Sequence, residues 1–421
     1  MIPSLPRRLA LALLLCLALV AGASADPFSV ATYADLCKVG TGADGWFLNA
    51  SYVQTADIQC PAGENFPRVG LNPGTPFAGT YDGNGYEIRD LNMNYPDSQT
   101  GMFITLGATG KLYDIVLVDA IVSSLSPCGA LVGVSSGLIS GCHVSGTITG
   151  SDIAGGLVGT VLAGDLICCT STCTILCEER GGGLIGCLSG GTVYTCSATG
   201  NVSGHANLGG LIGDMSHVSD LYSSGMVSHS SATGSVSGLE SSSPGYHVGG
   251  LVGRMTGGTL ETSYATGNVG AGTYVGGLVG SAYGEMGTIR NCYATGDALA
   301  VVTAPPPPWV GGLLGNCDGS VIACYSTGQV SAPNAVGTFA TYCGGLIGEI
   351  HGSATASYWD IETSGRATSA AGTGKTTAEM KTLATFADWD IATPIDYTDE
   401  VWYLVPGEDY PRLAWEGVPT V

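Results

Sequence analysis

The sequence predicts an all-β chain wound as a single-stranded parallel β-solenoid, a right-handed β-helix of about nine coils with a cap at each end. Three observations lead there. A glycine-leucine pentapeptide recurs along most of the chain at near-constant spacing. Short β-prone fragments, cut by glycine every few residues, fill the intervals between its copies. The composition joins 67 glycines and 45% hydrophobic residues to only 11% charged ones, which excludes an acidic disordered chain and suits a β protein rich in turns.

From the N-terminus, residues 1–25 read as a secretory leader: MIPSLPRR is basic, LALALLLCLALVAG is apolar, and Ala23-Ser24-Ala25 forms a small-x-small cleavage pattern. The apolar run is shorter than the ~20 residues that span a bilayer, and no second run follows it, so no membrane span is expected after leader removal. Cys16 is not preceded by the small residues of a lipoprotein signal, so no lipid anchor is expected. Loss of Arg7 and Arg8 takes the formal charge from −21 to −23, and such a surface repels nucleic acid and anionic lipid.

Residues 26–100 are the expected N-terminal cap and first rungs, 101–358 the repeat array, and 359–421 a C-terminal capping segment with a short helix. The array opens with GALVG, which supplies Gly129, Leu131 and Gly133. GGLxG, with x Val, Ile or Leu, then supplies Gly155, Leu157 and Gly159; Gly182, Leu184 and Gly186; Gly209, Leu211 and Gly213; and Gly249, Leu251 and Gly253. It continues with Gly276, Leu278 and Gly280; Gly311, Leu313 and Gly315; and Gly344, Leu346 and Gly348. The starting glycines lie 26, 27, 27, 40, 27, 35 and 33 residues apart. The three long intervals carry SHSSATGSVSGLESSSP, PPPP and APNAVGTFATY, read as insert loops near 229–244, 301–309 and 331–342.

Between the pentapeptides run TCSATGNVSG from 195, SYATGNV from 263, CYATGD from 292 and CYSTGQV from 324. Each interior glycine would cost a helix roughly 1 kcal/mol against alanine, so short strands and tight turns remain. A unit of this length cannot bury an apolar face alone, but stacked copies share one core. Coils of two or three short strands, about 4.8 Å apart, would build a column of roughly 40 Å. In GGLxG the leucine is expected to point inward, the last glycine to turn the corner, and the paired glycines to allow close backbone approach.

These repeats resemble the GLUG-motif family of large secreted or cell-surface microbial proteins. FAGTYDGNGYEIRDLNM (77–93) looks like the opening rung of such proteins, and SYWDIETSG (357–365), GTGKTTAEMKT and YPRLAWE (410–416) like their closing segment. The resemblance covers most of the chain after the leader. It implies a solenoid architecture and a secreted or surface address, since the family is associated with adhesion and envelope proteins rather than with one reaction.

Of fifteen cysteines, fourteen lie beyond the leader, and an even number in an exported chain reads first as disulfides. Aligning the repeats puts Cys142, Cys169, Cys196, Leu221, Ser263, Cys292, Cys324 and Ser357 in one column. Neighbours one rung apart fall within disulfide reach, as for Cys292 with Cys324, while a ladder of buried thiols that merely pack is the alternative. Cys37 with Cys60 is the candidate pair near the N-terminus, and Cys168, Cys173, Cys177 and Cys187 crowd one repeat. No C-x-x-C pair appears and the six histidines are scattered, so no metal or other cofactor is expected. Asn49 and Asn201 begin Asn-x-Ser acceptor patterns for glycosylation.

The run Gly372-Thr373-Gly374-Lys375-Thr376 imitates a phosphate-binding loop. Such a loop needs glycine five residues before its last Gly, and that position holds Ser369. Thr376 to Glu379 instead reads as a capping box opening a short helix. Trp359, Phe386, Trp389, Trp402, Tyr410 and Trp415 are expected to cover the open end of the solenoid. The favoured function is a secreted structural or adhesive surface rod, which associates with itself or with other surface components. The alternatives are a glycan-binding module using the insert loops, and a polysaccharide-degrading β-helix enzyme. The enzyme reading is disfavoured because Asp152, Asp165, Asp214, Glu261, Asp297 and Asp318 fall at different offsets within the repeat, and Asp82-Gly83-Asn84-Gly85 reads better as a turn than as a calcium loop.

Overall fold

The computed structural model describes residues 26–70, 74–96, 99–125, 127–216, 225–239, 247–271, 273–284, 287–300, 308–333 and 342–419. The expected leader and Leu221 lie outside them. The chain is all-β, with parallel strands stacked as a solenoid of about nine turns. One coil consists of Ile153–Gly155, Val158–Val161, Asp165–Ile167, Thr170–Ser171 and Thr174–Cys177. That is five segments where two or three were expected, because bends interrupt the path every two to four residues. Each segment pairs in parallel with its counterpart one coil on: Ile153 faces Arg180, Val158 faces Ile185, Asp165 faces Thr192, Thr170 faces Ser197 and Ile175 faces Val202.

Stacking turns these segments into columns. The first column has eight strands, the second nine and the third twelve, while the fourth and fifth join in one broad sheet. The third is longest because Phe28–Val30, Ser51–Gln54 and Thr80–Asp82 add three rungs before the nine-coil body. At about 4.8 Å per rung, nine coils span roughly 40 Å.

The leucines of the pentapeptide form the spine. Leu131, Leu157, Leu184, Leu211, Leu251, Leu278, Leu313 and Leu346 are all fully buried. The Leu157 amide donates to Leu184 O at 2.9 Å, Leu184 to Leu211 at 2.9 Å and Leu211 to Leu251 at 2.9 Å. Each carbonyl also accepts the amide of the residue after the previous leucine, as in Val158 N to Leu184 O at 3.1 Å.

The glycines divide the work differently from the expectation. A side chain on the second glycine, such as Gly183, would collide with the Gly210 carbonyl of the next coil, so close approach explains it. The last glycine does not turn the corner. Gly159 lies inside the strand Val158–Val161, and an added Cβ would reach Cys128 N and Gly133 O at 2.6 Å. The bend falls on the second glycine and the leucine. It folds the first and second columns toward each other on their outer side, where the first and third glycines leave only backbone.

A different corner demands left-handed backbone. It follows the third column and is occupied by Asp114, Gly141, Cys168, Thr195, His229, Thr262, Asn291, Ala323 and Ala356, with φ between 45° and 64°. Only one of these is glycine. The segment read as the first insert also proves partly regular, because Met226–Ser228, Ser231–Ala232 and Val236–Gly238 are strands. The rest of that interval includes 217–224 and 240–246, which lie outside the described residues. Most of the other two insert loops lies outside the described residues.

Candidate functional site

The cysteine column is a hydrogen-bond ladder. No disulfide joins the described cysteines, so of the two alternatives the candidate Cys292–Cys324 bridge is absent and the buried thiol ladder is present, and the candidate Cys37–Cys60 bridge is absent as well. Each column side chain donates to the carbonyl two residues before it: Cys169 to Ile167 O at 3.3 Å, Cys196 to Tyr194 O at 3.4 Å, Cys292 to Arg290 O at 3.2 Å and Cys324 to Ile322 O at 3.2 Å. It also accepts the amide of its counterpart one coil earlier: Cys169 N to Cys196 Sγ at 3.4 Å, Cys196 N to Ser230 Oγ at 3.2 Å, Ser230 N to Ser263 Oγ at 3.1 Å and Cys324 N to Ser357 Oγ at 3.2 Å. A group that donates once and accepts once is all this position requires, hence the interchange of cysteine and serine. Ser230, rather than Leu221, holds the rung after Cys196. Burial pushes the Cys142, Cys196 and Cys292 thiols well above their ordinary range, so they stay neutral.

One residue further on, the chain faces outward and carries Tyr264, Tyr293, Tyr325 and Tyr358 in consecutive coils. Tyr264 and Tyr293 stack at 4.9 Å and 6°, Tyr293 and Tyr325 at 5.1 Å and 8°. The C-terminal segment packs along this ladder. Trp389, Trp402 and Trp415 each aim the indole N–H at the left-handed corner: Trp389 to Ala356 O at 2.7 Å, Trp415 to Thr262 O at 2.9 Å and Trp402 to Asn291 Oδ1 at 3.3 Å. Tyr325 donates its hydroxyl to Pro411 O at 2.7 Å, and Tyr293 donates to Glu416 at 2.9 Å. The aromatic cluster expected over the open end therefore lies mainly along the flank, spanning four coils. The end itself is closed by Ser369, whose Oγ accepts the Leu346 and Ile347 amides at 3.2 and 2.8 Å, and by Trp359 over Gly345. Ser369 thus replaces the carbonyl that another leucine would have offered.

The outer notch between the first and second columns holds a second aromatic stack. His247 stacks on Tyr274 at 4.7 Å and Tyr274 on Trp309 at 4.8 Å and 5°, while Tyr342 meets Trp309 at 5.5 Å with its ring tilted by 40°. Across the notch His247 Nδ1 meets Ser281 Oγ at 2.7 Å, and Arg254 binds the buried Asp214 carboxylate through two bonds of 3.2 and 2.7 Å. Burial first, and the Arg254 charge second, push the His247 pKa down to about 3.

The family model described as "The GLUG motif" matches residues 244–270 and 271–299, the two coils that carry His247 and Tyr274. These are GLUG repeats. Among curated proteins, a Gly-rich membrane protein of Evansella cellulosilytica is 33% identical over 133 residues, and halomucin of Haloquadratum walsbyi is 33% identical over 137 residues. Each match covers 30% of this chain but only 14% and 2% of those relatives. Among solved structures, a crystal structure described as an immunoglobulin A1 protease from Bacteroides ovatus has a TM-score of 0.49 at 18% identity, covering 94% of each chain. A second, described as IgA1 protease, has a TM-score of 0.40 at 15% identity and covers 72% of this chain and 22% of its own.

Most acids weighed for catalysis are tied into the GLUG coils. Asp152 pairs with Arg180, Asp214 with Arg254 and Glu261 with Arg290. Asp297 accepts the Gln329 amide at 2.9 Å and Asp318 the Gly284 amide at 3.3 Å, while Asp165 is exposed. Asp82 Oδ1 accepts the Asn84 amide at 2.8 Å, and Asn84 and Gly85 take φ of 52° and 73°, so this stretch is a turn. Thr373–Lys375 is a strand paired with Tyr358–Asp360, and the capping box is present in full: Thr376 N reaches Glu379 at 2.8 Å and Glu379 N reaches Thr376 Oγ1 at 3.3 Å. Asn49 and Asn201 are both exposed, and Asn201 Oδ1 also accepts the Ser235 amide at 3.0 Å. Sequence reasoning missed the notch and the tyrosine ladder. The aromatic residue immediately before each VGG or CGG, and the tyrosine directly after Ser263, Cys292, Cys324 and Ser357, were their available signals.

Proposed function

We propose that this chain is an exported, surface-displayed rod whose role is mechanical and adhesive rather than catalytic. The observation that carries this reading is the unbroken leucine spine from Leu131 to Leu346, sealed by Ser369 and braced along four coils by the C-terminal segment. A parallel stack bonded at every rung resists bending and offers few loops to proteases. The leader-like first 25 residues and the names of the two curated relatives, a membrane protein and a halomucin, support an address at the cell surface. Both aromatic ladders favour a structural role over sugar binding, because ring faces stacked on one another at 4.8–5.1 Å are not available to a sugar ring. Immunogold electron microscopy of the native host, with antibody raised against the purified chain, tests the address. Gold confined to the cytoplasm overturns it. Release of sugars from acidic polysaccharides by the purified chain would overturn the non-catalytic part.

A further inference from the structure

We propose that copies of this chain join head to tail through the third column, continuing one parallel sheet from molecule to molecule. The proposal deepens the rod reading and rests on it. Among the described residues, the first and second columns are closed at both ends by irregular chain. At the N-terminal side, Val69 and Phe77 bridge to Phe103 and Leu106, and Thr100 bridges to Cys128. At the C-terminal side, Thr368 O accepts the Gly345 amide at 3.0 Å, Ser369 closes the second column, and Thr373–Lys375 covers Tyr358–Asp360.

The third column is open at both ends. It begins at Phe28–Val30 and ends at Ser353–Thr355, and neither strand has a second partner among the described residues. Val30 O accepts the Thr55 amide at 3.0 Å, so the Ser29 backbone groups point away from the sheet. At the other end Ser353 N donates to Gly319 O at 3.0 Å and Thr355 O accepts from Ala323 N at 3.1 Å, which turns the Ala354 N–H and C=O outward. Natural edges are commonly blocked by lysine, proline or inward charge, and neither Phe-Ser-Val nor Ser-Ala-Thr contains any of these. Both edges belong to one sheet, are three residues long and run in the same direction, so a copy translated along the axis presents its Ser29 edge to the Ala354 edge of its neighbour. Such a contact is heterologous and does not close, so it grows a filament.

The test uses the purified chain from Asp26 onward, with sedimentation velocity over a concentration series and negative-stain electron microscopy. The expected result is linear oligomers whose axial repeat matches the rod length. Ser29→Pro and Ala354→Pro each remove an amide that makes no bond within the molecule, so both variants should keep the wild-type melting curve. Each alone should stay monomeric, while a mixture of the two should give dimers and nothing larger, since only one competent junction remains. Wild-type protein that stays monomeric at several hundred micromolar, or proline variants that polymerise like the wild type, would overturn the stacking. Scattering profiles that still fit a stiff rod would in that case leave the rod reading standing.

Discussion

His247 makes the stability of the central coils depend on pH. Its ring is 7% exposed, is held by Ser281 and Tyr274, and lies near Arg254, which is itself paired with Asp214. With a folded pKa of about 3 against roughly 6.5 for a free imidazole, the folded ring refuses a proton that the unfolded chain accepts. The stabilisation is therefore complete above pH 6.5 and is lost as pH falls toward 3. At pH 5.0 the unfolded side is favoured over about 1.5 pH units at 1.36 kcal/mol each, which is about 2 kcal/mol. Urea denaturation of wild type and His247→Phe at pH 7.5 and 5.0 isolates this share, because the acidic residues contribute equally to both proteins. The phenylalanine variant should be less stable at pH 7.5, having lost the Ser281 bond, yet should lose about 2 kcal/mol less than wild type on acidification. An equal loss in both proteins would refute the assignment.

Three further outcomes are expected. Thr195→Gly should raise the midpoint of thermal unfolding by relieving about 1 kcal/mol of left-handed strain at φ 54°, whereas Gly141→Ala, where φ is 64° and the Cβ would strike Asp114, should lower it. Cys196→Ser should fold with near wild-type stability by calorimetry, while Cys196→Val, which leaves the buried Cys169 amide without its acceptor, should cost about 1–3 kcal/mol. Trp402→Ala should cost about 3–5 kcal/mol and, in limited proteolysis read by mass spectrometry, should speed cleavage within residues 376–419 while residues 127–216 stay intact.

How much of this was legible beforehand follows from where each residue points. Leucines such as Leu184 and glycines such as Gly183 face the next coil at a fixed separation, so every coil needs the same residue and the period shows in the sequence. The left-handed corner was invisible because its backbone shape is imposed by the bonds on either side. Asp114, Thr195, Asn291 and Ala323 all satisfy it at a modest cost, so no single letter marks it. Ser230 was misplaced for a different reason: it stands 21 residues after Gly209, where Cys196 stands 14 after Gly182, so the extra length of that interval shifted it out of the column. Of the two alternatives for the cysteine column, the disulfide failed on this ladder, where a sulfur such as that of Cys196 donates within its own coil and accepts an amide of the coil before.

The flanking position of the C-terminal segment carries the last step. In the outward column, His143, Thr170, Ser197 and Ser231 precede Tyr264, Tyr293, Tyr325 and Tyr358, so large rings appear only in the coils that the segment covers. A segment that merely sealed the end would need apolar residues on the final coil alone. Binding along four coils instead couples them, because Trp415 cannot leave Thr262 without also disturbing Glu416 and its bond to Tyr293. Loss of the segment would thus expose aromatic surface along half the rod, and its retention makes the C-terminal half of the solenoid unfold as one unit rather than coil by coil.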